Sequence, residues 1–268
     1  MTDTLTILEG DCVEQLRTLP DESVQCVVTS PPYDNARTYG QAKLAWDFEG
    51  AARELFRVIA PGGIVCWNVG DMVIDGSETL TSFRQAIYFK DKCGFKVHDT
   101  MIYEKSNGSK PNPSRYNQCF EYVFVLCKGK PRTVNLIADK PNVTAGLAVF
   151  GKHTMRERDG SLSVRKNRII AKEYGVRTNV WKGNTRAQEQ VCEELPHPAM
   201  MPKWLARDLI ISFSNPGDLI LDPFGGSGTT AVAALEAGRR ALTWDVNPEY
   251  VELIKQACAK AQPPLIAA

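Results

Sequence analysis

The sequence predicts a three-layer α/β fold, a mostly parallel sheet with helices on both faces, carrying one inserted region. Three observations point there. Short β-rich runs alternate with helix-period runs along most of the 268 residues. The strand-like runs end abruptly at paired prolines or glycine-rich turns, as strands in βαβ units do. One stretch, Lys128 to Arg186, loses the alternation altogether. With 43% hydrophobic and 24% charged residues, the chain has an ordinary composition for a protein burying the core of one large α/β domain.

In chain order, Leu5–Leu8 reads as a short strand, followed by Asp11 and an amphipathic helix over Val13–Leu19. Val24–Thr29 is the second strand. Ser30-Pro31-Pro32-Tyr33 stops it at once, which places a polar group at its carboxyl end. Ala51–Ile59 fits a helix terminated by Pro61-Gly62-Gly63, Ile64–Val69 a strand, and Leu80–Lys92 a helix. Phe95–Glu104 and Tyr122–Cys127 are two further strands. Regular pattern returns with a helix at Pro202–Phe213 and a strand at Asp218–Leu221. A glycine-rich turn, a helix at Thr229–Ala237, a strand at Arg240–Trp244 ending in Asp245, and a last helix from Glu249 complete the chain.

Several function classes are excluded on composition. The eight cysteines are scattered, with no C-x-x-C pair, and several lie inside apolar runs. That pattern is expected of reduced, buried cysteines in a cytosolic protein rather than of disulfides or zinc ligands. The first residues have neither a basic start nor a long apolar core, so no signal peptide is expected. The longest apolar stretch, near Ile59–Ile74, is broken by Pro61, two glycines and Asp71, and cannot span a bilayer.

The net charge of +1 hides an asymmetry. Lys128–Arg186 carries 14 basic and 4 acidic residues, against 18 basic and 27 acidic in the rest. A basic insert on an acidic body is the footprint of a nucleic-acid contact surface, and the alternative is a solvated loop. Asn, His, Tyr and Trp interleave with the cations, a mixture suited to DNA. The candidate DNA contacts are Arg156, Arg158, Arg165, Lys166, Arg168 and Arg177, with Arg115 upstream.

The run Asp222-Pro223-Phe224-Gly225-Gly226-Ser227-Gly228-Thr229-Thr230 lies between a strand and a helix. Glycines there let the backbone approach a ligand and expose helix N-terminal amides. Asp245 ends the next strand, where a carboxylate can accept from ribose hydroxyls. Gly226-x-Gly228-x-x-Ala231 also satisfies the loose dinucleotide fingerprint, so an NAD-dependent dehydrogenase is a rival reading. Position discriminates between them. Only 23 residues follow Asp245, room for one helix. The other strands of a nucleotide-binding sheet must then come from the N-terminal half, a permuted order.

In that order the chain resembles the amino-group DNA methyltransferases, which modify N4 of cytosine or N6 of adenine, in the permuted arrangement labelled β. Asp222 to Thr230 resembles the family's loop for the methionine side of S-adenosyl-L-methionine. Asp245-Val246-Asn247, continuing to Tyr250, resembles its ribose-binding segment. His197-Pro198 to Pro202 resembles the segment that closes over the cofactor, and Gly10-Asp11-Cys12 the one that hydrogen-bonds its adenine amine. Taken singly, Asp11 reads better as a helix N-cap and Tyr250 as core packing, while His197 also fits a structural turn histidine. The resemblance implies a Rossmann-like methyltransferase sandwich, circularly permuted. Its catalytic half spans 1–127, a target-recognition insert 128–195 and a cofactor-binding half 196–268.

The resemblance makes Ser30, Pro31, Pro32 and Tyr33 the catalytic residues, and their chemistry fits. An exocyclic amine is a poor nucleophile because its lone pair is delocalised into the ring. Hydrogen-bond acceptors that favour a more tetrahedral nitrogen overcome this. The prolines leave carbonyl oxygens free, Ser30 Oγ adds an acceptor, and Tyr33 offers a face for stacking a flipped base. No metal or cysteine nucleophile is required, and direct in-line attack follows from positioning. In the family Ser-Pro-Pro-Tyr goes mostly with cytosine N4 and Asp-Pro-Pro-Tyr mostly with adenine N6, so cytosine is favoured and adenine stays open. Phe120, Tyr122 and Phe124 alternate along a strand and are candidates for the base pocket, although alternation is equally what a sheet core produces. The partners implied are double-stranded DNA and a cognate restriction endonuclease, no membrane, and a monomeric or homodimeric state. An RNA or small-molecule methyltransferase and a catalytically inactive DNA-binding protein are the other readings.

Overall fold

β1 (Leu5–Glu9), α1 (Cys12–Thr18), β2 (Val24–Thr29), α2 (Phe48–Val58) and β3 (Ile59–Val69) open the computed structural model as consecutive βα units. It describes residues 3–32, 46–106, 113–184 and 201–261, with backbone alone at 149–155 and 164–169. A small hairpin of β4 (Val73–Ile74) and β5 (Ser77–Glu78) leads into α3 (Thr81–Tyr88), which runs on as a π-helical turn over Phe89–Cys93. β6 (Lys96–Lys105) and β7 (Phe120–Cys127) follow. β8 (Lys140–Pro141), β9 (Ala148–Arg156), β10 (Leu162–Ile170) and β11 (Tyr174–Gly175) belong to the insert. The chain then forms β12 (Val180–Gly183), α4 (Lys203–Phe213), β13 (Leu219–Asp222), α5 (Thr229–Glu236), β14 (Arg240–Asp245) and α6 (Pro248–Lys260).

Eight strands pair in the order β1-β14-β13-β2-β3-β7-β6-β12. All are parallel except β7, which runs against both β3 and β6. α1, α2 and α3 share one buried cluster with Val27, Val65, Trp67, Val69 and Phe124, including the fully buried Leu16, Leu55 and Phe89. Each such side chain stabilises the fold by about 1.5–3 kcal/mol. The alternate residues Cys26, Val28, Cys66 and Val125 are equally buried on the other face. There α4, α5 and α6 pack on one another, α4 lying against β2 and β3 and α5 against β13 and β14. Strands buried on both faces explain why β2 and β3 read as continuous apolar runs.

This layering creates the site. β13 and β14 lead into helices on one face, while β2 and β3 lead into helices on the other. The winding reverses between β13 and β2, and ligands of open α/β sheets bind outside the carboxyl ends of the strands at such a switch point.

Several boundaries differ from the sequence reading, among them the start of α2 at Phe48 and of β7 at Phe120. α2 ends at Val58 and β3 starts at Ile59, because Ile59 already pairs with Val24, and the strand then passes an irregularity, with Gly62 at φ +78°, before Ile64 pairs with Cys26. Pro61 fits at such an irregularity, where no ladder N–H is needed. The helix expected over Leu80–Lys92 is α-helical only to Tyr88. The insert is a separate compact unit, Leu136–Thr178, shorter than 128–195. Its downstream flank returns to the main unit because β12 pairs in parallel with β6, Val180 opposite Ile102. Among the described residues, no helix is long and apolar enough to cross a membrane.

Candidate active site

On one side of the switch point, β13 and β14 present Asp222 and Asp245 with the glycine turn between them. The turn is tightly made. Gly225 N–H donates to the Trp244 carbonyl at 2.8 Å, and Gly228 N–H to the Gly225 carbonyl at 2.8 Å. A Cβ on Gly225 would stand 2.5 Å from Thr243 Oγ1 and 2.6 Å from Ile254 Cδ1, so no side chain fits. Gly228 takes φ +80° at the head of α5, which has no side-chain cap, so its first amides are left for another acceptor. Ser227 and Thr229 share a hydrogen bond at 3.0 Å between their hydroxyls. Asp245 accepts from Gly226 N–H through one oxygen and from Asn247 N–H through the other, both at 2.9 Å. Burial raises its carboxyl, and these amides oppose the rise. Val246, next in sequence, exposes apolar surface at this edge.

β1 completes this half, with Glu9 level with Asp245 and Gly10 N–H donating to the Asp245 carbonyl at 3.0 Å. Asp11 is the N-cap of α1, accepting from Val13 N–H at 2.8 Å and Glu14 N–H at 3.2 Å. Cys12 is buried beneath it, and desolvation, with Asp11 adding, pushes its thiol up to about 12. It is no nucleophile at neutral pH. The residues present fit a nucleoside with a charged tail: close-approaching backbone, uncapped amides and a carboxylate for vicinal hydroxyls.

On the other side β2 delivers Ser30, half-buried, and Pro31, buried. β13 pairs with β2, and at the carboxyl ends of the two strands a side-chain hydrogen bond spans 193 residues, from Thr29 Oγ1 to Asp222 Oδ1 at 2.6 Å. Phe224 N–H donates to the same oxygen at 3.1 Å. Desolvation pushes the Asp222 carboxyl up to about 7 against these donors. Trp46 meets Phe224 edge-on at 5.0 Å, and Trp67 lies 6.3 Å from the Phe224 ring, so aromatic rings pack around the residue whose amide donates to Asp222. Tyr33, His197 and Pro198 lie outside the described residues.

Other expected residues stand elsewhere. Phe124 is core, and Tyr122 stacks on it at 5.6 Å while meeting Phe83 of α3 edge-on at 5.0 Å. The alternation of β7 therefore reports the sheet's core face. Arg115 is engaged by the β4–β5 hairpin, through the Gly76 carbonyl and Glu78 at 3.7 Å. Within the insert, Arg177 forks onto Asp139, with Nε 2.8 and 2.9 Å from the two carboxylate oxygens. Arg156 and Arg158 are exposed. Arg165, Lys166 and Arg168 are placed by backbone only, on β10, where Lys166 lies opposite Lys152.

Sequence reasoning missed a polar cluster beside Ser30: Asn68 of β3, Glu121 of β7 and Lys105 of β6. Glu121 receives Asn68 Nδ2 at 2.8 Å and Lys105 Nζ at 2.5 Å. The available signal was a lone carboxylate inside the apolar run Phe120–Cys127.

Comparison with known proteins decides the family. Residues 24–256 match the DNA methylase family of N6 and N4 methyltransferases. The chain belongs to this family. This DNA methyltransferase is 43% identical to the orphan methyltransferase M.BamHII of Bacillus amyloliquefaciens over 238 residues, 88% of this chain and 89% of that one. Its fold is similar to PvuII DNA methyltransferase (cytosine-N4-specific), with a TM-score of 0.66 at 20% identity, over 96% of this chain and 87% of the other. It is also similar to TTHA0409 of Thermus thermophilus complexed with S-adenosyl-L-methionine, with a TM-score of 0.60 at 26% identity, over 95% of each chain. The cofactor of this methyltransferase is S-adenosyl-L-methionine.

Proposed function

We propose that this methyltransferase methylates N4 of cytosine in double-stranded DNA, after flipping the base out of the helix. The observation that carries the reading is Ser30, a neutral hydroxyl, at the head of the Pro-Pro turn that ends β2 at the switch point. The cofactor supplies an electrophilic methyl group when bound. Gly225, Gly226 and Gly228 admit it, Asp245 takes the ribose hydroxyls, and Asp222, held by Thr29, fixes the distance between its loop and Ser30. Asp11, Cys12, Val246 and Asn247 frame the adenosine end. His197 and Pro198 close over it by resemblance to the family.

Ser30 Oγ and the Pro31 carbonyl accept from the amine, drawing its lone pair out of the ring and aligning it for in-line attack. Tyr33 stacks on the extruded base. After transfer the nitrogen is cationic and acidic, and its proton passes to water, so no carboxylate is needed at position 30. Ser30→Ala should slow turnover about 10²-fold or more, by analogy with loss of one preorganised hydrogen-bond partner. Phosphate contacts come from the insert, above all from positions on β9 and β10. A cognate restriction endonuclease would share the recognition sequence, and methylated DNA would resist it.

Digesting DNA methylated by the protein to nucleosides and identifying the product by mass spectrometry tests the base. N4-methylcytosine is expected. N6-methyladenine would overturn the cytosine reading, leaving fold, cofactor and amine chemistry intact.

A further inference from the structure

The cluster of Asn68, Glu121 and Lys105 sits on the base side of the switch point and has no part in the roles assigned so far. Its position follows from register. Thr29 of β2 pairs with Trp67 of β3, so Ser30 stands level with Asn68. Asn68 in turn pairs with Val123 of β7, and Tyr103 of β6 with Glu121. Lys105 is the last residue of β6 and Glu121 the second of β7, so three neighbouring strands bring the cluster to the edge where β2 delivers Ser30. Trp67 and Val69 belong to the core under α2, so strand alternation turns Asn68 to the opposite face.

The energetics ask for an explanation. The Lys105 and Glu121 side chains are only 29% and 15% exposed. A pair this sheltered gives up much hydration, and apolar residues of like volume would often be as stable. Glu121 uses one oxygen for Lys105 and the other for Asn68, so the ammonium is held at a fixed point, and among the described residues its two further N–H donors are still to place. Tyr103, 2% exposed, lies across from Glu121 with its ring 5.7 Å from Trp204, and among the described residues nothing hydrogen-bonds its hydroxyl. Donors therefore converge here beside acceptors at Ser30-Pro31.

A base whose exocyclic amine is the nucleophile has a ring nitrogen acceptor beside that amine, N3 in cytosine and N1 in adenine. Acceptors at Ser30-Pro31 next to a donor match that donor–acceptor edge. We propose that Lys105 donates to this ring nitrogen of the flipped base, with Glu121 and Asn68 as positioning residues. The inference rests on the reading of Ser30-Pro31 as the amine site. It makes Lys105 a specificity-determining residue: the site rejects a base edge on which the ring position beside the amine lacks a lone pair, because the ammonium would then be left sheltered without its partner.

The test is a cycle between protein and base. Once the methylated position is mapped, duplexes carry either cytosine or 3-deazacytosine there, the latter having a carbon in place of N3. Wild type should lose about 10–100-fold in kcat/KM on the analogue. Lys105→Met should lose a similar factor on cytosine, discriminate little between the two duplexes, and keep its S-adenosyl-L-methionine affinity within about two-fold. Lys105→Arg should recover part of the rate and of the discrimination. Additive losses, or an analogue methylated by wild type as fast as cytosine, would overturn the proposal, and the second result needs no variant to fold. If mapping finds methyladenine, the base reading fails, and 1-deazaadenine against adenine runs the same cycle.

Discussion

Asp222 is 5% exposed, and desolvation raises its carboxyl to about 7 although Thr29, the Phe224 amide and Thr230 all favour the charged form. The sign of the consequence is fixed. Between the ordinary value of 3.8 and about 7 the folded chain holds a proton that the unfolded chain has lost, so stability falls as pH rises through that window. Asp222→Asn keeps an acceptor for Thr29 and Phe224 and removes the penalty. Calorimetry of the ligand-free protein should show wild-type Tm falling more steeply from pH 5 to pH 8, with the variant ahead by roughly 2–6 °C at pH 8. Parallel curves would mean the carboxyl is not buried against solvent as described. Asp245 acts differently, since its oxygens face amides at the ligand edge. Asp245→Ala should weaken S-adenosyl-L-methionine binding by about 10–100-fold in titration calorimetry, as loss of charged hydrogen bonds does. Ser30, Asp222 and Asp245 stand out in the sequence because each ends an apolar run at a turn, and strand order brings all three to one edge of the sheet. The Thr29–Asp222 bond and the Asn68–Glu121–Lys105 cluster do not stand out in it. They join residues distant in sequence, and strand order alone brings them together.

The elements were legible where periodicity is strong and failed where tertiary pairing overrides it. β2, α4, β13 and β14 stand within a residue or two of their sequence-based bounds. β12, four residues ending in Gly183, has too short a pattern to stand out from the insert; it exists because β6 offers an open edge. The β9–β10 hairpin adds a distinction that composition hides. Its register sets Lys166 opposite Lys152 and Leu162 opposite Arg156. By the two-residue period, positions 152, 156, 166 and 168 share one face and 165 lies on the other. Like charges directly opposed destabilise a free hairpin and are relieved by a polyanion. Neutralising Lys166 and Arg168 together should therefore lower DNA affinity and reduce the log–log salt slope by about 0.9 for each phosphate no longer neutralised, whereas Arg165→Gln alone should do less. Equal effects on both faces, measured by fluorescence anisotropy across a salt series, would count against one binding face.

At the scale of the molecule, strands from both ends of the chain share one sheet, β14 and β13 lying between β1 and β2, and Leu136–Thr178 enters between them in sequence. Both of its attachment points are fastened to the main unit. Asn135 N–H donates to the Ser212 carbonyl at 2.7 Å, and its side-chain amide to the Ile211 and Ser214 carbonyls at 3.1 Å each. Asn179 donates from its side chain to the Thr100 carbonyl at 3.1 Å, while its own carbonyl receives Ile102 N–H at 2.8 Å. His98 and Phe213 meet edge-on at 6.4 Å, tying these two neighbourhoods together. Asn135 and Asn179, which flank Leu136–Thr178, are thus held by the strands and helices of the main unit itself. Replacing 136–178 by a short glycine-serine linker should leave one cooperative melt and an S-adenosyl-L-methionine affinity within about two-fold of the parent, because loop length costs little once the ends are anchored. DNA affinity should fall at least about ten-fold and lose most of its salt dependence, since the deletion removes nine of the basic residues and only four of the acidic ones. Unchanged DNA binding would move the phosphate-binding surface to the main unit. Lost cofactor binding would show that the insert belongs to the cofactor body after all, and with it the division of labour assigned to the two units would fall.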